Sequence, residues 1–256
     1  MLGFMTDRRR ILLALVWGAL CHGAFAVGAG LMVCHLFFGL TRSWGAVPYP
    51  FAIAANLALL AQFPLLHSLL LTGKGRKILA LIGPDARLAT TNYALIASVQ
   101  LALLFAFWSP SGVILWQATG AMFWVMCAAY AASWGYLMLA IWQGGPQLQS
   151  GMLGWFAMLR GRKPEFPDMP TGGLYRVTRQ PIYLGFALTL WTMPTWTPDQ
   201  LALATLWTAY CVLAPIHKER RFTAIYGDRF RAYRTRVPYW LPLPRKAPDD
   251  ARPPAQ

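Results

Sequence analysis

Between residues 172 and 238 the chain gathers three acids, several bases, two side-chain amides and several phenols. Arg176 and Arg179 stand three apart, so a helix would turn both to one face. Gln180, Pro181, Tyr183 and Gly185 follow, and Pro181 suits the first turn of a new helix. Guanidiniums beside a helix N-terminus make a place for a carboxylate or a phosphate. Two apolar runs then lead to Glu219 and Arg220. If those runs close as a hairpin, Glu219 returns beside Arg179, Gln180 and Tyr183. Such a cluster fits a polar, zwitterionic small molecule meeting a lipophilic or volatile one.

The elements that must position these groups are membrane helices. The chain has 256 residues, 57% of them hydrophobic and 12% charged, with mean hydropathy +0.41. A soluble domain carries about 25% charged residues. Apolar runs at 11–40, 48–71, 92–109 and 113–142 predict four spans. Ala24-Phe25-Ala26 resembles a processing site, but the first run continues to Leu40 and is expected to stay as an anchor. Asn56, Gln62, Pro64, His67 and Ser68 lie in the second run, which is therefore expected to face other helices rather than lipid. A basic loop with Lys74, Arg76, Lys77 and Arg87 follows it.

From Gln143 to about Gln180 the chain is polar and rich in Gly and Pro, with a short interfacial helix expected over 152–159. Two shorter runs, 182–196 and 201–217, predict the hairpin, and 218–240 is basic, aromatic and partly helical. The tail, 242–256, is Pro-rich and charged and is expected to be disordered. The expected fold is all-α: a polytopic integral membrane protein with five to six transmembrane helices and a C-terminal helical hairpin. Residues 1–241 form one domain, in which 1–142 supply four spans and 172–238 the cluster.

The net charge is +14. With the N-terminus inside and six passes, every Lys and Arg but Arg42 falls on the cytoplasmic side. Both termini and the cluster then face the cytoplasm, and the bases read as topology signals and lipid contacts rather than a nucleic-acid surface. Cys21, Cys34, Cys127 and Cys211 all lie in apolar runs and suggest neither a disulfide nor a metal site. His22 and His35 are thirteen residues apart, so a helix points them in different directions, which argues against haem. Neither inverted repeats nor acidic residues in the spans are visible, which argues against coupled transport.

The stretch Gly173, Tyr175, Arg179, Pro181, Tyr183, Gly185, then Glu219, Arg220, then Gly227, Tyr233, Val237 and Pro238 resembles the signature of the isoprenylcysteine carboxyl methyltransferase superfamily. Gln62, His67-Ser68 and Pro194-Thr195 resemble its bacterial methanethiol S-methyltransferase branch. The resemblance implies an S-adenosylmethionine-dependent enzyme of the bacterial inner membrane that methylates a small thiol or another lipophilic acceptor. It implies catalytic roles for Glu219, Arg220 and Arg179, with Arg179 or Arg220 on the cofactor's carboxylate. Tyr175, Arg176, Gln180, Pro181, Tyr183, Gly185 and Tyr233 would bind the cofactor, without a metal. Three positions depart from the pattern. Gln180 replaces a usual His, Lys218 a usual Glu, and Tyr226 a usual Phe. These departures keep two alternatives open, a non-catalytic membrane protein and an NADPH-dependent reductase, and cofactor binding separates all three.

Overall fold

The computed structural model describes residues 7–241, so the tail expected from Pro242 lies outside the described residues. Ten α-helices dominate. They are α1 (Asp7–Phe37), α2 (Phe51–Leu70), α3 (Gly73–Ile82), α4 (Ala89–Phe107), α5 (Gly120–Gly144), α6 (Pro146–Gln149), α7 (Met152–Leu159), α8 (Pro181–Thr189), α9 (Pro198–Tyr226) and α10 (Asp228–Arg236). Five helices, α1, α2, α4, α5 and α9, are long and apolar enough to cross a membrane. The protein is an integral membrane protein.

Three loops meet at one end of the bundle. The backbone N–H of Trp44 donates to Ala106 O at 2.7 Å, and Thr197 Oγ1 donates to Gly39 O at 2.7 Å. Two short strands, β1 (Trp116–Gln117) and β2 (Thr195–Trp196), pair antiparallel at the same end. Beneath them lies the main apolar core, built from residues such as Leu36, Leu40, Phe105, Leu190, Met193, Leu203 and Trp207. That half of the bundle is closed. The opposite end holds α3, α7, α10 and the polar cluster.

Asn56 and Gln62 of the second span find partners on α4 and in the loop that follows it. Asn56 and Ser109 exchange two hydrogen bonds, at 2.8 and 2.9 Å. Gln62 donates to Gln100 O at 3.0 Å, and the Gln100 amide donates to the Gln62 side-chain oxygen at 2.7 Å. In hydrocarbon such groups have no water to fall back on, so the pairs fix α2 against α4. The helix expected over 152–159 is α7, which packs on α1 and α4.

Three expectations change. The basic loop after the second span contains α3, capped by the Thr72 side chain, which accepts from Gly75 N at 3.1 Å. The fourth span begins at Gly120 rather than 113, because the preceding residues are extended and bonded to the 194–196 segment. The hairpin is unequal. Helix α8 has nine residues and α9 has 29, because residues 190–196 leave the helix to form β2. Residues 181–196 thus hold a helix of nine residues, too short to cross a membrane by itself.

Gly185 lets α8 lie directly on α5. A Cβ there would meet the backbone of Leu137 at 2.9 Å. Gly185→Val is expected to cost about 1–3 kcal/mol through overpacking. A lower unfolding temperature in detergent is the check.

Candidate active site

The site begins where the chain leaves the 3₁₀ turn Gly173–Arg176. Residues 177–180 are not helical, so Arg176 and Arg179 do not share a face. Arg176 is exposed, whereas Arg179 is buried. The backbone N–H of Arg179 donates to Pro238 O at 3.0 Å, which draws the 236–240 segment over it. Pro181 then starts α8, as its fixed φ favours.

Helix α9 carries Glu219 back to the same place. Arg179 Nε donates to Glu219 Oε1 at 2.7 Å and Nη2 to Oε2 at 3.3 Å. Gln180 Nε2 also donates to Glu219 Oε1, at 3.0 Å. The Nη1 of Arg179 bonds the carbonyls of Arg234 and Val237. A guanidinium has five N–H donors, and these four bonds occupy most of those on Arg179. Arg179 is a buried keystone joining α8, α9 and α10, with little capacity left for a ligand. Arg234 Nε adds a longer contact to Glu219 Oε2, at 3.6 Å.

Two of the three departures from the pattern, Gln180 and Lys218, meet each other. Lys218 Nζ donates to Gln180 Oε1 at 3.0 Å. The ammonium also lies 5.9 Å from the Tyr183 ring centroid and 5.3 Å from that of Phe222. One amide therefore donates to the acid and accepts from the base.

Gly227 makes the sharp turn between α9 and α10, with φ +51°, in the region that favours glycine. Helix α10 folds back so that Tyr233 Oη donates to Tyr175 O at 2.6 Å. Burial pushes the Tyr233 phenol up to about 12, so it remains a donor at physiological pH. Arg229 holds the exposed Asp168 carboxyl below the usual carboxylate range through a bidentate pair.

Two hollows flank Glu219. One, lined by Tyr175, Gln180, Lys218, Phe222, Phe230 and Tyr233 among others, has room of about 10 Å³, enough for one water. The other is an open cavity of about 450 Å³, lined by Arg179, Ile216, Glu219, Arg220, Thr223, Arg234 and Tyr239. Small-molecule sites typically span about 300–1,000 Å³. Arg220 is exposed in this cavity and has no hydrogen bond to another described residue. Of the residues read as site candidates, Arg179, Glu219 and Arg220 line the open cavity. Tyr175, Gln180 and Tyr233 line the closed hollow. Tyr183 lies on the far side of Lys218, in electrostatic range of Tyr210, Cys211 and Arg221. Gly185 belongs to the α5–α8 contact. Arg234 and Tyr239 were not read from the sequence, although Tyr239 directly follows the Val237-Pro238 pair that ends the signature.

A methanethiol S-methyltransferase 2 of Bradyrhizobium diazoefficiens is 30% identical over 205 residues, which is 79% of each chain. The chain belongs to the isoprenylcysteine carboxyl methyltransferase-like superfamily, in its methanethiol S-methyltransferase branch. A methanethiol S-methyltransferase of Mycobacterium tuberculosis is 29% identical over 210 residues, covering 78% of this chain and 82% of its own. Nurim of Xenopus laevis is 29% identical over 176 residues, covering 65% of this chain and 60% of its own. No protein-family model and no solved structure matches the chain. In this chain the Gln180–Lys218 bond joins two of the positions that depart from the pattern.

Proposed function

We propose that the chain is an S-adenosylmethionine-dependent methyltransferase acting on a small thiol from the cytoplasmic face of the membrane. The observation that carries this is the 450 Å³ cavity beside the Arg179–Glu219 pair, in a chain related to methanethiol S-methyltransferases. Its donor set fits the cofactor. The unpartnered Arg220 guanidinium suits the carboxylate, with Arg234 close by. Glu219 supplies the acid that an ammonium or a sulfonium needs, and Tyr239 offers an aromatic wall. Bound there, S-adenosylmethionine supplies an electrophilic methyl group.

The protein's own part is binding and positioning. In-line transfer gains most from holding acceptor and methyl in a near-attack geometry away from water. The apolar core that closes the opposite half of the bundle keeps the site accessible from one side. The accumulation of bases at the site's end supports a cytoplasmic orientation for it, because positive loops are retained inside. A lipophilic acceptor would come from the bilayer.

The test is calorimetry on detergent-purified protein with S-adenosylhomocysteine, with NADPH in parallel. Micromolar S-adenosylhomocysteine binding and no NADPH binding are expected. Binding of NADPH alone would replace this reading with the reductase one, and binding of neither would replace it with a non-catalytic role.

A further inference from the structure

A thiol must lose its proton before it can attack a methyl group, because the thiolate is the nucleophile. Glu219 is poorly placed to take that proton. One of its oxygens accepts from both Arg179 and Gln180, and the other faces Arg179 and Arg234. The base must be sought elsewhere, among groups with a lone pair to spare.

Of the four histidines, His22 Nε2 already accepts from Trp155 at 3.1 Å. His35 bonds Leu31 O through Nδ1 and leaves Nε2 buried and unpartnered, but it lies beside Trp44 at the loop end of the bundle, away from the site. His217 is exposed. His67 is different. It is near the polar end of α2, and its ring lies between Phe63 and Tyr93, with centroids at 4.8 and 4.7 Å. Its Nδ1 is buried and has no hydrogen-bond partner.

Contacts around His67 join α2 to α4 and α9. Tyr93 of α4 is in electrostatic range of Tyr210 and Arg221 of α9 and of Tyr183 of α8. Tyr210 Oη and Ser68 Oγ are 3.3 Å apart, joining α9 to α2 beside the histidine. Tyr183 in turn faces the Lys218 ammonium, which is bonded to Gln180 in the active site. The titratable groups that these contacts bring toward His67 are Tyr93 and Tyr210, with Tyr183 and Arg221 in electrostatic range of Tyr93. Leu65 and Leu69, on the same helix turns, are exposed on the membrane surface.

We propose that His67 is the proton acceptor for the thiol, where α2 meets Tyr93 of α4 and Tyr210 of α9. The inference rests on the thiol methyltransferase reading above. The S–H proton passes to the free imidazole nitrogen. The thiolate lone pair forms the new S–CH₃ bond as the donor's S–CH₃ bond breaks, and that electron pair stays on the donor sulfur. The imidazolium then returns its proton to solvent, so one thiol gives one thioether and one proton.

The first test is methanethiol turnover by His67→Gln across pH 6–10. General-base catalysis is worth about 10²–10⁴-fold, so kcat should fall at least about 100-fold near neutral pH with KM changed less than about threefold. The deficit should shrink at high pH, where the thiol ionises without help, and S-adenosylhomocysteine binding should be unchanged. Turnover within about threefold of wild type, with the same pH profile, would overturn the proposal. A second test needs no variant. Dimethyl sulfide should slow carbethoxylation of His67 by diethylpyrocarbonate in protein loaded with S-adenosylhomocysteine, read by mass spectrometry. Equal rates with and without dimethyl sulfide would place His67 outside the acceptor site. Failure of the wild type to bind S-adenosylhomocysteine would instead sink the methyltransferase reading, and this inference with it.

Discussion

Glu219→Gln should lose measurable S-adenosylhomocysteine binding and methanethiol turnover while the protein still inserts into membranes. Glu219 is the acid that the buried Arg179 guanidinium faces, with its shortest contact at 2.7 Å. Breaking a buried pair by removing one partner costs about 3–5 kcal/mol, because the other charge is left uncompensated. Each 1.4 kcal/mol is about tenfold in an equilibrium constant, so binding should weaken at least about 100-fold. The unfolding temperature should drop too, since Arg179 also ties the carbonyls of Arg234 and Val237. Arg220→Ala is the informative contrast. Arg220 is exposed and unpartnered, so its loss should leave the unfolding temperature unchanged. It should still weaken S-adenosylhomocysteine binding by about ten- to a hundredfold, the worth of a charged hydrogen bond. Calorimetry and thermal unfolding on the same preparations measure both effects. Equal losses of stability in the two variants would refute the division between a buried keystone and a ligand-facing arginine.

Much of this arrangement was legible in the residues. Long apolar runs announce membrane helices because the bilayer leaves the backbone no other solution. Pro181 announces the start of α8, and the polar groups of the second span announce helix contacts. The closing of the hairpin on Glu219 was also readable, since an acid ending one arm of a hairpin must return to the base beginning the other. What was not legible depended on long-range contacts. Arg176 and Arg179 read as neighbours on a face, but the bond from Arg179 N to Pro238 O pulls the chain out of helix between them. The early end of α8 depends on pairing with a strand some 80 residues upstream. Helix α3 read as a loop because Gly73, Gly75 and three bases weaken its pattern, whereas the close approach of Gly75 to the end of α2 holds it in place. The unpartnered nitrogen of His67 is visible only once α2, α4 and α9 have packed.

The second large effect tests whether the departures at positions 180 and 218 are decay or exchange. The Gln180 amide serves two masters: its nitrogen donates to Glu219 and its oxygen accepts from Lys218. Lys218→Glu alone sets a carboxylate against that amide oxygen, two acceptors with no proton between them, beside a second carboxylate. An unsatisfied buried polar group costs about 1–3 kcal/mol, and more when charged. We expect kcat/KM to fall at least about 30-fold. Gln180→His alone should be mild, because a neutral imidazole can also donate to Glu219 and accept from the ammonium. In the double variant Gln180→His with Lys218→Glu, an imidazolium would donate to both carboxylates and restore the hydrogen bonds in reversed polarity. Most of the lost kcat/KM should return, giving a favourable interaction energy of about 0.5–3 kcal/mol in the double-mutant cycle. Additive losses would mean that the two positions act independently, so the bond between them would not explain their shared departure. Recovery would show that this chain keeps a working site by moving the positive charge from one side of a hydrogen bond to the other.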